Sequence, residues 1–338
     1  MSEKKEYLSK RGLMIIGIAS LVILVLGIIL YYLDLNEEFY SESDSTRTVF
    51  EAITYLGEPV TYIIIATIIY LAYSKSLAKR SIVILLFSQY LNQTLKGIFE
   101  DPRPDTNIDP TEDYGFIEPK WGFPSGHTQN SFCFYGYLAN EFKDEYKYKH
   151  LPIVPVILSG IVFLIAISRM IIGVHDLQDV VGGFLFGVGI LLLYIYMEPF
   201  FSEQFNKLNL ITKIIFTVAA SILLFMIGTL WFPNAGLGLV TPPLRYRDAG
   251  AYAQVGGVLL GFGVGYLLEQ EYVKYEPTQL TTKKKIINII IGILILLIAF
   301  VPFEYVIEID SVFFRFFRYA LMAFILAYVA PLICTKIN

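Results

Sequence analysis

In the stretch 168–179, SRMIIGVHDLQD, an arginine, a histidine and two aspartates stand where one apolar run ends and the next begins. An ionisable group at the centre of a membrane helix costs roughly 2.5–3.5 kcal/mol, and less towards the interface, so such a cluster reads as functional by default. His175 and Asp179 are four residues apart and share a face on a helix. The carboxylate can therefore take one imidazole proton, fix the tautomer and leave the other ring nitrogen as a nucleophile. Arg169, six residues before His175, ends the preceding run and carries a planar fork that suits phosphate oxygens.

Two further polar segments share the same side of the apolar runs. In KGIFEDPRP, residues 96–104, Lys96 and Arg103 flank a turn stiffened by Pro102 and Pro104. In GFPSGH, residues 122–127, Ser125 and Gly126 precede a helix-compatible run that begins at His127. Amides at a helix start point outward and bind anions, and glycine lets the anion approach the main chain. Cations, histidines, a carboxylate and an amide nest together suit an oxyanion such as phosphate. Asp176, Gln178 and Gln129 read as local hydrogen-bonding residues, and His150, in the basic stretch EFKDEYKYKH, as a solvated one.

Lys96 with six residues before Arg103-Pro104, then Pro124-Ser125-Gly126-His127, then Ser168-Arg169 with five residues before His175 and three before Asp179, resembles the three-part signature of the type 2 phosphatidic acid phosphatase superfamily. The resemblance spans roughly residues 56–197. It implies that His175 attacks phosphorus, that Asp179 orients it, and that His127 protonates the leaving oxygen and then helps to activate water. It implies that Lys96, Arg103, Ser125, Gly126 and Arg169 hold the phosphoryl oxygens. No metal and no cofactor are expected, since fixed cations and amides supply the transition-state charge.

The elements that must position these residues are membrane helices. The chain is 55% hydrophobic and only 17% charged, against about 25% charged in an ordinary soluble domain. About ten apolar stretches approach the ~17–25 residues that a ~30 Å hydrocarbon core requires. They predict an all-α, polytopic membrane protein of about ten transmembrane helices, in which the resemblance implies a six-helix phosphatase core. Residues 1–55 hold a first helix and an acidic outer loop, 56–197 the core, and 198–338 a four-helix extension without a recognised motif. The first stretch follows Lys4, Lys5, Lys10 and Arg11 but is longer than a signal-peptide apolar region, so a retained helix is expected.

Most of the 26 lysines and arginines fall in alternate connections if both termini are cytoplasmic, which puts the three polar segments on the extracytoplasmic or lumenal face. A net charge of -4 gives nucleic acid no foothold. Cys133 and Cys334 sit in apolar runs without ligand spacing and read as packed thiols. Gly183 with Gly187, and Gly257, Gly261 and Gly265, recur every four residues, a pattern for close helix packing within the chain or for a homodimer.

The sequence thus points to a membrane enzyme that hydrolyses a lipid phosphate or diphosphate ester. The alternatives are a phosphotransferase using the same histidine, and a transporter or scaffold that binds anionic lipid. Arg245 and Arg247, in the proline-rich outer loop 231–250, are candidate contacts to a second phosphate and the reason to lean towards diphosphates.

Overall fold

The computed structural model describes residues 8–33, 35–36, 39–104, 121–148, 151–231, 249–305 and 311–337. Twelve helices carry this part of the chain. In order they are α1 (Lys10–Tyr32), α2 (Asp44–Thr54), α3 (Pro59–Ala72), α4 (Lys75–Phe99), α5 (Gly126–Glu141) and α6 (Ile153–Ile171). Then follow α7 (Leu177–Asn206), α8 (Leu210–Trp231), α9 (Ala249–Leu268), α10 (Thr282–Tyr305), α11 (Val312–Phe324) and α12 (Ala330–Ile337). A short antiparallel pair, β1 (Lys147–Tyr148) and β2 (Leu151–Pro152), precedes α6.

Each expected apolar stretch lies on a helix, and the protein is an integral, multi-pass, all-α membrane protein. Among the described residues six helices are long and apolar enough to cross a bilayer, or up to seven if the bent pair Asp44–Gly57 and Pro59–Ala72 is one span. The expected ten is therefore not reached by length and composition alone. Part of the reason is visible in α4, which buries Ser81, Ser88, Asn92 and Lys96, and in α5, which at 16 residues is short of a full span and buries Thr128, Gln129, Asn130 and Ser131. At the other extreme α1 buries no residue, and Met14, Ile18, Leu21 and Ile29 stand exposed along it. Apolar rows of this length suit hydrocarbon rather than water.

The chain folds as two interleaved compact units, residues 1–58 with 98–204, and 59–97 with 205–338. The expected divisions at 55 and 197 follow the order of the sequence, whereas each unit is assembled from two separate pieces. In the first unit Met170, Leu177 and Val180 form a core against Leu30, Ala166, Ile167 and Val181. Gly183 and Gly187 let α7 lie close to α5: a Cβ at Gly183 would stand 2.6 Å from the Ser125 carbonyl oxygen, and one at Gly187 3.0 Å from the Phe132 Cβ. Cys133 and Cys334 are both buried, and the Cys133 thiol donates to the Gly187 carbonyl at 3.6 Å.

In the second unit α9 packs on α8 and α11. Cβ atoms at Gly257 and Gly261 would collide with the backbone of Phe316 and Ala320, so this glycine row serves packing within the unit. The polar knot of the unit is Lys75 Nζ on both oxygens of Glu269, at 3.0 and 2.9 Å. Glu269 is fully buried at the start of a π-turn, and its Oε1 also accepts from the Tyr275 amide at 2.7 Å. The Tyr275 hydroxyl donates to the Leu71 carbonyl at 2.5 Å and accepts from Asn288 Nδ2 at 2.8 Å. Burial pushes the Tyr275 phenol up to about 12, which keeps it a donor.

Candidate active site

The corner between α6 and α7 is built by two local rules. Gly173, at φ 80°, takes the left-handed conformation that ends a helix, and the amides of Gly173 and Val174 close on the carbonyls of Met170 and Arg169. Asp176 then caps α7, its Oδ1 accepting from the Asp179 amide at 3.0 Å. Between stop and start stands His175, 3% exposed, with Nδ1 2.7 Å from Asp179 Oδ2. The sequence expects the pair on one helix face; in the structure His175 precedes the first residue of α7, Leu177, and reaches Asp179 on the first turn of that helix.

Ser125 is the N-cap of α5 and is fully buried. Its Oγ accepts from the Thr128 hydroxyl at 3.1 Å and, at a long 3.5 Å, from the Thr128 amide. Gly126 is the first residue of the helix, where backbone amides have no intrahelical acceptor. His127 follows on the first turn.

Direct hydrogen bonds lace the three polar segments together. The Gly122 amide donates to the Asp101 carbonyl at 2.8 Å, and Pro102 forms a bridge with Trp121. The Ser125 amide donates to the Asp179 carbonyl at 2.9 Å. Arg103 Nη1 donates to the Val174 carbonyl at 2.7 Å, directly before His175. Gln178 Nε2 donates to Asp101 Oδ2 at 3.1 Å, across 77 residues of sequence. Arg103, Ser125, Gly126, His127, Arg169, His175 and Asp179 thus lie in one compact unit. Lys96, 3% exposed on the last turn of α4, belongs to the other unit. Arg245, Arg247 and His150 lie outside the described residues.

Three supporting residues belong to no motif in the sequence. Thr54 Oγ1 accepts from Arg169 Nη1 at 3.0 Å, with Arg169 1% exposed. Glu58 Oε1 lies 2.9 Å from His127 Nε2. Asn36 holds the α7 corner three times: its Nδ2 donates to Asp176 Oδ2 at 2.7 Å, while its Oδ1 and carbonyl accept from the amides of Gln178 and Leu177 at 3.0 and 3.1 Å. A narrow cleft reaches His175 between Asn36, Tyr40, Pro104 and Asp176. The one cue to the three residues is that each is a polar side chain at the border of an apolar run. Among the described residues no cluster of His, Cys, Asp or Glu could hold a metal ion.

Comparison with known proteins shows the family. Residues 77–203 match the PAP2 superfamily, and residues 253–338 match the transmembrane extension of PAP2 superfamily phosphatases. The second match falls on the C-terminal half, where the sequence offered no recognised motif. The chain is 27% identical over 59% of its length to lipid phosphate phosphatase delta of Arabidopsis thaliana, covering 46% of that protein. It is 33% identical over 37% of its length to phosphatidylglycerophosphatase B of Bacillus subtilis, covering 59% of it. With mouse sphingosine-1-phosphate phosphatase 2 the identity is 23% over 63% of this chain and 57% of the relative. The chain thus spans about half the length of the curated relatives it matches. A crystal structure of a transmembrane PAP2-type phosphatidylglycerolphosphate phosphatase from Bacillus subtilis is 28% identical, covering 54% of this chain and 94% of that one at a TM-score of 0.40. With its site-bearing helices matched to the superfamily and its last helices to that superfamily's transmembrane extension, the chain belongs to the PAP2 superfamily.

Proposed function

We propose that this protein is an integral-membrane phosphatase that cleaves a lipid phosphate or diphosphate ester at the extracytoplasmic or lumenal face, through a phosphohistidine intermediate. The observation that carries the reading is the buried His175–Asp179 pair, 2.7 Å long. An ionised carboxylate only accepts, so Nδ1 holds the proton and Nε2 keeps its lone pair for attack. In the first step Nε2 bonds to phosphorus as the bond from phosphorus to the lipid oxygen breaks, and His127 gives that oxygen a proton. In the second step water attacks phosphorus, the bond to Nε2 breaks, and the water proton passes to His127. Arg103, Arg169, the Ser125 hydroxyl and the Gly126 amide stabilise the phosphoryl oxygens, so no step is assigned to a metal.

Substrate class and sidedness rest on supporting arguments. The relatives are named for lipid phosphates, and a lipid keeps its phosphate at headgroup depth without leaving the bilayer. The diphosphate lean has only Arg245 and Arg247 behind it. The bias of lysine and arginine towards alternate connections favours cytoplasmic termini.

Phosphate release by the purified protein in mixed micelles tests the reading, with a lipid monophosphate and its diphosphate side by side. Turnover should survive EDTA, fall with vanadate and vanish in His175→Ala, and a phosphate label should stay on the wild-type protein through an alkaline quench. A strict requirement for a divalent cation, or turnover by His175→Ala, would reject it. A cysteine at position 110 that labels only from the cytoplasmic side would overturn the sidedness.

A further inference from the structure

We propose that Glu58 is a positioning residue for His127 and decides which nitrogen of that ring exchanges the proton with the leaving group. The inference rests on the phosphatase reading above and adds a residue that precedes the segment matched to the superfamily, residues 77–203. Glu58 Oε1 stands 2.9 Å from His127 Nε2, and the two side chains are 30% and 13% exposed. An ionised carboxylate has no proton to give, so Nε2 carries the hydrogen and Nδ1 is left for the chemistry. The first pair has the opposite sense, with Nδ1 on Asp179 and Nε2 left to attack. The site therefore contains two histidine–carboxylate pairs facing the reaction through different nitrogens.

The backbone that carries Glu58 is fixed against α5. The Glu58 amide donates to the Tyr55 carbonyl at 3.1 Å, closing the turn Tyr55–Gly57. The Tyr135 hydroxyl donates to the Leu56 carbonyl at 2.6 Å. A Cβ at Gly57 would stand 2.9 Å from His127 Cδ2, 2.9 Å from Ile165 Cγ2 and 3.3 Å from Ser131 Oγ, so the turn lies flat on the imidazole edge. His127, Ser131 and Tyr135 succeed one another at four-residue steps, which puts the turn along one face of α5. The same turn begins at Thr54, the partner of Arg169. One short segment thus holds a phosphate-binding candidate at one end and the candidate acid at the other.

In the proposed cycle the proton on Nδ1 moves to the lipid oxygen as the phosphorus–oxygen bond breaks, and Nδ1 regains a proton from the attacking water. Nε2–H stays on Glu58 throughout, so the ring cannot turn between the two steps.

Two measurements test this. The chain has 3 histidines, so nitrogen NMR of ¹⁵N-histidine-labelled protein in micelles resolves each ring, His127 being assigned by its loss in His127→Gln. The neutral wild-type ring should carry its proton on Nε2, and Glu58→Ala should move the signal towards the Nδ1–H form. The kinetic arm compares an alkyl lipid phosphate with a nitrophenyl phosphate. Glu58→Ala should lower kcat roughly 10–100-fold for the alkoxide leaving group, a share of what a general acid contributes, with a smaller loss for nitrophenolate and KM little changed. Glu58→Gln, whose Oε1 can still accept from Nε2–H, should recover much of the loss. A wild-type Nδ1–H ring, an unchanged ring in Glu58→Ala, equal losses for both leaving groups, or a loss confined to KM would overturn the proposal. The wild-type spectrum requires no turnover and no variant fold at Glu58, so it decides the pairing even if the phosphatase reading fails.

Discussion

Arg103 combines anchoring with charge. A guanidinium has five N–H donors in a fixed fork, enough to hold the Val174 carbonyl at 2.7 Å and address an oxyanion as well, whereas an ammonium is a point charge on a flexible stem. Arg103→Ala should therefore lower kcat on the order of 10²–10³-fold, the usual scale for one preorganised transition-state donor. Arg103→Lys should restore only a small part of that in steady-state phosphate release, and full recovery would mean that charge alone matters. His175, Asp179, His127, Ser125 and Arg169 were legible because type and spacing lie close together along the chain. Thr54, Glu58 and Asn36 were not, since their partners are 115, 69 and 140 residues away and no local pattern links them.

Among the elements, α7 depends most on a neighbour. Its first turn is capped from within by Asp176 and from outside by Asn36, which also bond each other at 2.7 Å. A lost N-cap costs about 0.5–2 kcal/mol, and residues that share a bond do not lose it twice. Asn36→Ala and Asp176→Ala should each lower Tm in micelles and reduce kcat by loosening His175, and the double variant should lose less than the sum. Strict additivity in a thermal-denaturation cycle would show that the two caps act separately. Most helices were readable from apolar runs, but α2, in the stretch expected as an acidic outer loop, was not, and two further details were hidden. The last run is broken by a π-turn at Ile325–Val329 that divides α11 from α12. On α4 the buried polar side chains lower the very signal by which a crossing is recognised.

For the whole molecule, the interleaving is what composition could not reveal, because contacts such as the Tyr70 hydroxyl on the Ala327 carbonyl, 2.8 Å, join residues 257 apart. The second unit also contains a buried ion pair, Lys75 with Glu269. Glu269 is 0% and Lys75 12% exposed, and removing one member of a buried pair leaves an uncompensated charge at a cost of about 3–5 kcal/mol. Glu269→Ala should therefore lower Tm sharply, whereas Lys75→Met combined with Glu269→Leu should recover most of the loss. If Glu269→Ala melts with the wild type, the pair is not a significant stabiliser. There is also a consequence for the order of synthesis. Helices α3 and α4 leave the ribosome long before α8 to α12, the remaining pieces of their unit. Tyr70 and Lys75 must therefore wait in the insertion machinery or the lipid for partners not yet translated. Residues 1–204 expressed alone should be cleared by quality-control proteases, and co-expression with 205–338 as a separate polypeptide should rescue them.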